Sequence, residues 1–243
     1  KAFSLFIGGI TVANLLGLPA GTAIALEFGW RASFLAVGLL GLIAAVVLVL
    51  RLPKAAQNEG PRATLADQLR PLRQQKIWMS YLTITLTMIG TMCYATYSVP
   101  LLIEATGVDP AHIPLFLLLG GIASVLGIWM GGELSDWKLM PSLIAVLVVQ
   151  ALMFFVMLFT LVDPFAMAPT VFAAGALGFA FSTPLQARVV NAAAAAPNMA
   201  AALISTAFNI GIAVGAFLGS ALLNAGVVYA DLPAGGILTS LMA

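Results

Sequence analysis

Thr83, Thr87, Thr91, Tyr94 and Ser98 follow one another at spacings of four, four, three and four residues. On an α-helix that spacing places all of these hydroxyls on one face. They carry no charge and have no base beside them, so the chemistry on offer is recognition by hydrogen bonding rather than bond breaking. Asn14, and Ser205 with Asn209, add polar groups to stretches that are otherwise apolar. A buried hydroxyl or amide left unpaired costs roughly 1–3 kcal/mol, so each must find a neighbouring helix, water or a bound solute. The threonines have a local alternative, the carbonyl one turn back on their own helix. Thr87, Thr91, Tyr94, Asn14 and Asn209 are thus the candidates for lining a solute cavity.

Residues for covalent or metal chemistry are sparse. His112, in the run Asp109-Pro110-Ala111-His112, is the one histidine, and it suits a loop or helix start better than a ligand. Cys93 is the one cysteine; it can form no intrachain disulfide and has no companion for a metal. An enzyme working inside an apolar interior would need a nucleophile with its base, or paired metal ligands. Neither set is present, and no enzyme activity, cofactor or metal is expected. A retinal-type receptor would need a lysine in its last helices, and none follows Lys138. Met153, Phe154, Phe155, Met157 and Phe159 read as packing or lipid-facing residues, with a hydrophobic cavity as the alternative.

The elements that must position these groups are long. Of 243 residues, 62% are hydrophobic and 8% charged, too little polar surface to cover a water-soluble fold. About twenty residues at 1.5 Å each cross a hydrocarbon layer of about 30 Å. Segments at about 4–26, 32–51, 77–99, 113–132, 139–161, 165–187 and 200–223 meet that length, and a further one starts near 232. Helices are the expected form, since an open strand would leave backbone groups unpaired in lipid. The fold class is therefore an all-α membrane protein, a polytopic helical bundle.

Lysine and arginine orient the bundle. Arg51, Lys54, Arg62, Arg70, Arg73 and Lys76 crowd into or beside one polar stretch, and Lys1, Lys138 and Arg188 fall on the same side; only Arg31 lies opposite. The bias of basic residues toward cytoplasmic loops puts the 52–76 stretch in the cytoplasm. Within it Thr64-x-x-Asp67 reads as a capping box opening a short surface helix. The basic residues form a loop cluster without interleaved aromatics, so no nucleic-acid partner is expected. Glu27 and Glu104 lie near outer segment ends, where water can solvate them.

Gly17-x-x-x-Gly21 and Gly215-x-x-x-Gly219 share a spacing, lie 198 residues apart and each precede another glycine, Gly29 and Gly226. Small residues four apart let helix backbones approach closely in lipid. The repeat is parallel and points to a protein of two similar halves. Both ends of the chain look cut, so a piece of a longer protein is expected.

Gly8, then Gly17-Leu18-Pro19-Ala20-Gly21-Thr22, then Gly29-Trp30-Arg31-Ala32-Ser33-Phe34, resembles the fifth helix and sixth-helix start of a major facilitator superfamily transporter, closest to the arabinose-efflux-permease-like group of the drug:proton antiporter branch. Gly131-Gly132-Glu133-Leu134-Ser135-Asp136 resembles that family's loop motif between helices eight and nine. Pro184–Arg188 and Phe208–Gly215 resemble parts of helices ten and eleven. Trp137 stands where the family usually has a basic residue, and Lys138 follows without the usual glycine.

The resemblance implies a division into 1–51, the last two helices of the first half; 52–76, the cytoplasmic loop between halves; and 77–243, the second half, cut in its final helix. It implies a secondary transporter, a proton-coupled exporter of a sugar-like or drug-like solute by alternating access, in a bacterial inner membrane. Gly8, Gly17, Pro19 and Gly21 would be the antiporter-like packing motif, Gly132 and Asp136 the loop motif. Its partners would be a small-molecule substrate, protons, lipid and the missing N-terminal helices, which would carry the proton-binding carboxylate. A permease subunit driven by a separate ATPase, or a multi-helix membrane protein that transports nothing, is the competing reading.

The charge bias makes a direct prediction. In the Cys93→Ser background, Gln57→Cys and Asp109→Cys should react with a membrane-impermeant maleimide from opposite sides. Labelling of both from one side would overturn the orientation.

Overall fold

The structure is a computed structural model that describes residues 13, 16, 17, 19–51, 74–192 and 197–243. Gly8, Asn14 and the Thr64–Asp67 capping box lie outside the described residues. Among the described residues regular structure is helical, with no strand.

Residues 19–28 are helical and end at Gly29, whose φ of +82° is the left-handed conformation that favours glycine. α1, Trp30–Arg51, starts at once. The Ser33 hydroxyl donates to the Gly21 carbonyl at 2.8 Å, tying the two helices together. Along α1 the large apolar side chains are exposed, from Phe34 to Leu50, and its composition suits a membrane span.

α2, Gln75–Ala95, was expected as one helix over 77–99. The structure breaks it at Thr96 and Tyr97, then continues through Ser98–Pro100 into a π-helical turn, Leu101–Ala105. Pro100 cannot donate a backbone hydrogen bond, and the ladder re-forms with the wider Thr106 N–H to Leu101 carbonyl bond at 3.2 Å. The chain then reverses at Gly107, with φ of +72°. Asp109 caps the short turn Pro110–His112 by accepting from the Ala111 N–H at 2.8 Å.

α3, Ile113–Thr160, is two membrane helices in series. Its 48 residues exceed any single crossing, and Lys138 breaks the helix with φ −153° and ψ 95°. The Ser142 hydroxyl donates to the Leu134 carbonyl at 2.9 Å across the break. The expected segments 113–132 and 139–161 are these two limbs. α4, Pro164–Ala180, begins at Asp163, whose carboxylate accepts from the Phe165 N–H at 3.0 Å. The expected helix 165–187 ends early, and α5, Ser182–Ala192, follows the break at Phe181. Pro184 explains it, because its ring crowds the Ala180 carbonyl and supplies no N–H to it. α6 is Pro197–Asn224 and α7 is Leu232–Met242, separated by Gly226 with φ of +91°.

Two buried apolar clusters stack along the bundle. One gathers Ile84 and Met88 of α2, Leu143 and Leu147 of α3, and Leu185 of α5. The other gathers Tyr94, Leu101, Phe154, Met157 and Val171.

Glycines let helix backbones approach closely, and the pairs they join are the first limb of α3 with α4, past the second limb, and α2 with α6. A Cβ on Gly127 or Gly131 would strike the carbonyl of Ala176 or Ala180, and one on Gly175 the carbonyl of Gly120. α6 lies along α2 in the same way, with Gly211, Gly215 and Gly219 against Met88, the Ile89 carbonyl and Tyr97. Two hydroxyls then reach α6 carbonyls, Thr85 of α2 to Ala207 at 3.3 Å and Tyr97 of the break after α2 to Ala216 at 3.1 Å. The two Gly-x-x-x-Gly motifs differ in this respect: no described atom comes within 4 Å of a Cβ built on Gly17 or Gly21.

The close contact sets a matched pair of variants. Gly127→Ala should destabilise the bundle by about 1–3 kcal/mol, because backbone must move to admit the methyl group. Gly132→Ala, with no described atom within 4 Å of its Cβ position, should leave stability unchanged. Thermal unfolding in detergent reads both, and equal effects would contradict this packing.

Candidate functional site

A cavity of about 170 Å³ opens between α2, the first limb of α3 and α4, lined mostly by residues of the second cluster and reaching the border with the first at Thr91. Along α2, Met88 belongs to one cluster and Tyr94 to the other, with Thr91 between them. Along the second limb of α3, Leu147 and Phe154 bracket Gln150 in the same way. The polar groups at this level are therefore at mid-depth in the bundle.

The walls combine aromatic rings with hydroxyls. Phe116, Phe154, Phe179 and Tyr94 supply the apolar surface, and the Tyr94 and Phe154 rings meet edge to face at 6.0 Å. Thr91, Ser98 and Ser124 supply hydroxyls, and each donates to a carbonyl three or four residues back, at 2.9 Å to Thr87, 2.8 Å to Ala95 and 2.7 Å to Gly121. Among the described residues no Asp, Glu, Lys, Arg or His lines the cavity. Gly175 and Gly178 form part of its α4 wall; a Cβ on Gly178 would press on the Thr91 methyl at 3.3 Å. Thr91 is thereby held from the α4 side.

Gln150 is fully buried, and its Nε2 donates to the Thr91 hydroxyl oxygen at 3.0 Å. Its Oε1 has no hydrogen-bond partner among the described residues. Gln150 is not among the residues expected from sequence, although a lone amide at the middle of segment 139–161 is a visible signal. Ser124, Phe116 and Phe179 are not among them either, since nothing in sequence says which face of an all-apolar helix turns inward.

The expected site residues separate in space. Thr91 and Tyr94 line the cavity, with Ser98. Thr87 is fully buried and donates to the Thr83 carbonyl at 2.8 Å, the local alternative for a helical threonine. Asn209 is exposed on α6, away from this cavity, and its Nδ2 donates to the Ser205 carbonyl at 2.8 Å. Gly17 is exposed, Pro19 buried and Gly21 half-buried. Gly132 is half-buried before the α3 break, and Asp136 is exposed with no partner among the described residues. Lys138 instead lies over the Trp137 ring, 5.5 Å from its centroid. In the methionine and aromatic run, Met153, Phe154 and Met157 are buried, whereas Phe155 and Phe159 are exposed and pack on each other at 5.2 Å.

Residues 1–216 match the family model described as Major Facilitator Superfamily. The chain belongs to the major facilitator superfamily. It is 34% identical over 223 residues to the uncharacterized MFS-type transporter YtbD of Bacillus subtilis, covering 90% of this chain and 56% of that protein. It is 32% identical over 240 residues to the inner membrane transport protein YdhP of Escherichia coli, covering 99% of this chain and 61% of that protein. It is 32% identical over 220 residues to a chloramphenicol resistance protein of Streptomyces lividans, covering 88% of this chain and 55% of that protein. The chain thus spans little more than half the length of these curated relatives. As a member of this superfamily, and with five helices long and apolar enough to cross a membrane among its described residues, it is an integral membrane protein.

The Thr91–Gln150 pair has a measurable signature in this superfamily member. Thr91→Val alone strands the Gln150 amide and should destabilise by about 1–2 kcal/mol. Adding Gln150→Leu removes the stranded group and should recover most of that loss. A double variant as unstable as the sum of the two single variants would show that the bond contributes nothing to folding.

Proposed function

We propose that this chain is part of a secondary active transporter that exports a small organic solute in exchange for protons, by alternating access. One observation carries the reading: a cavity, aromatic-walled and set with hydroxyls, that reaches mid-depth at Thr91 inside a helical bundle of this superfamily. Such a place suits a solute that must be bound and released. The named relatives support transport, and the chloramphenicol resistance protein supports an outward direction for a drug-like solute.

Thr91 and Tyr94 are the proposed solute contacts in this cavity. Thr87, Asn209 and Asn14 are proposed as polar positions of the wider pathway shared with the first half of the transporter. Gly8, Gly17, Pro19 and Gly21 are proposed to pack helices at the seam between halves, with Pro19 permitting a kink. Gly132 and Asp136 are proposed to act in the turn before Lys138, on the same side as the 52–76 loop, which we place in the cytoplasm of a bacterial cell. No carboxylate occurs at mid-depth in the apolar segments of this sequence, so the proton-binding group is proposed to lie upstream of Lys1.

The full-length protein in proteoliposomes with an acidic lumen should accumulate radiolabelled solute from a panel of drug-like organic molecules that includes chloramphenicol. Uptake should collapse with a protonophore and ignore ATP. Uptake indifferent to the proton gradient would refute the coupling, and a need for ATP would refute secondary transport.

A further inference from the structure

Gln150 Oε1 and the Ser240 hydroxyl share a condition and a depth. Gln150 is fully buried on the second limb of α3, Ser240 is 4% exposed on α7, and neither atom has a hydrogen-bond partner among the described residues. Packing sets them at one level. Thr91 of α2 meets Gln150 and the Tyr94 ring meets Phe154, so α2 and this limb run side by side in one direction. Gly90 of α2 faces Gly236 and Thr239, while Thr83, two turns earlier, donates to the Ala243 carbonyl at 2.8 Å, so α7 runs the other way. A Cβ on Gly236 would strike the Phe154 ring. Four residues on from Gly236 is Ser240, and four back from Phe154 is Gln150; each step is about 6 Å toward the same end of the bundle and keeps the same helix face.

Turning the Gln150 amide round offers no remedy. The Thr91 proton lies on the Thr87 carbonyl at 2.9 Å, so Thr91 can only accept, and Nε2 must face it. Oε1 is left pointing elsewhere with lone pairs alone. Ser240 departs from its neighbour Thr239, which donates to the Gly235 carbonyl one turn back at 3.1 Å; the Ser240 proton is committed to no carbonyl. An acceptor and a hydroxyl so placed, and not bonded to each other, call for a bridge. Thr87 offers a third arm. It is fully buried on the face between Thr83, which reaches α7, and Thr91, which meets α3, and its own proton lies on the Thr83 carbonyl, so its free lone pair accepts.

We propose that Gln150, Ser240 and Thr87 bind one buried water molecule, which fastens α7 to α2 and to the second limb of α3. The water donates to Gln150 Oε1 and to Thr87 and accepts from Ser240, three bonds that use every free donor and acceptor of the node. A cation fits poorly: the three side chains carry no charge to offset it, and it would leave the Ser240 proton unplaced. None of the three lines the cavity, so the site stands apart from the transport reading.

The test uses the full-length protein. A crystal structure at about 2 Å resolution should show a density peak about 2.7–3.2 Å from Gln150 Oε1 and from the Ser240 oxygen, and the peak should vanish in Ser240→Ala. In lipid nanodiscs, Ser240→Ala and Gln150→Met should each lower the Tm by about 2–4 °C, and the double variant should lose clearly less than their sum, because both damage one bridge. If Gln150→Met does not fold, the peak and its loss in Ser240→Ala decide alone. The wild-type Tm should be the same in sodium, potassium and choline chloride. No peak in wild type, a direct bond between Ser240 and Gln150, or fully additive losses would overturn the inference. A stabilisation specific to sodium that Ser240→Ala removes would overturn it in favour of a cation.

Discussion

Helices in lipid gain little by hiding apolar surface from one another, because the solvent is as apolar as they are. Close contact must come from backbones that fit, and here glycine supplies the fit. Gly127, Gly131 and Gly175 bring the first limb of α3 against α4, while Gly211, Gly215 and Gly219 bring α6 against α2. The first pair is separated along the chain by the second limb of α3, the second pair by α3 to α5. They draw two pairs together tightly and leave space between α2, α3 and α4 where Gly178 meets Thr91 without closing the gap.

Polar groups mark the depth at which that space lies. Thr91 and Gln150 meet where one apolar cluster gives way to the other, and each gives the other a partner in apolar surroundings. Their bond therefore joins α2 to the second limb of α3 at the level of the cavity, while the Thr91 proton is held by the Thr87 carbonyl of its own helix. The breaks at Tyr97 and Phe181 are near the same cavity, since Ser98 and Phe179 line it. A helix that must turn a polar or aromatic residue inward beside an opening is one that proline can interrupt, because the freed carbonyls lie within protein.

Much of the bundle was legible because bilayer thickness imposes a length that few apolar segments reach by accident. Segments 139–161 and 200–223 are close to the helical limbs observed. The interruptions were less legible: Pro100 and Pro184 are plain in the sequence, yet an apolar run containing proline is still a membrane-length run. The hydroxyl face of α2 was legible as a face. Its split, with Thr91 and Tyr94 on the cavity and Thr87 satisfied by its own helix, depends on a rotation that spacing leaves open. Gln150 shows the converse. Its type and depth were visible, but its importance arises from a partner 59 residues away.

The order of types along the chain determined by itself that this protein crosses a membrane many times as helices, because apolar length and the need to pair every backbone group allow no other arrangement. It also determined the family, through glycines and prolines whose positions fix how helices bend and pack. Which faces turn toward each other was decided only by the tertiary structure. A helix that is apolar all round carries no inward direction of its own, and it acquires one when a glycine admits a neighbour's backbone or a buried amide finds a hydroxyl.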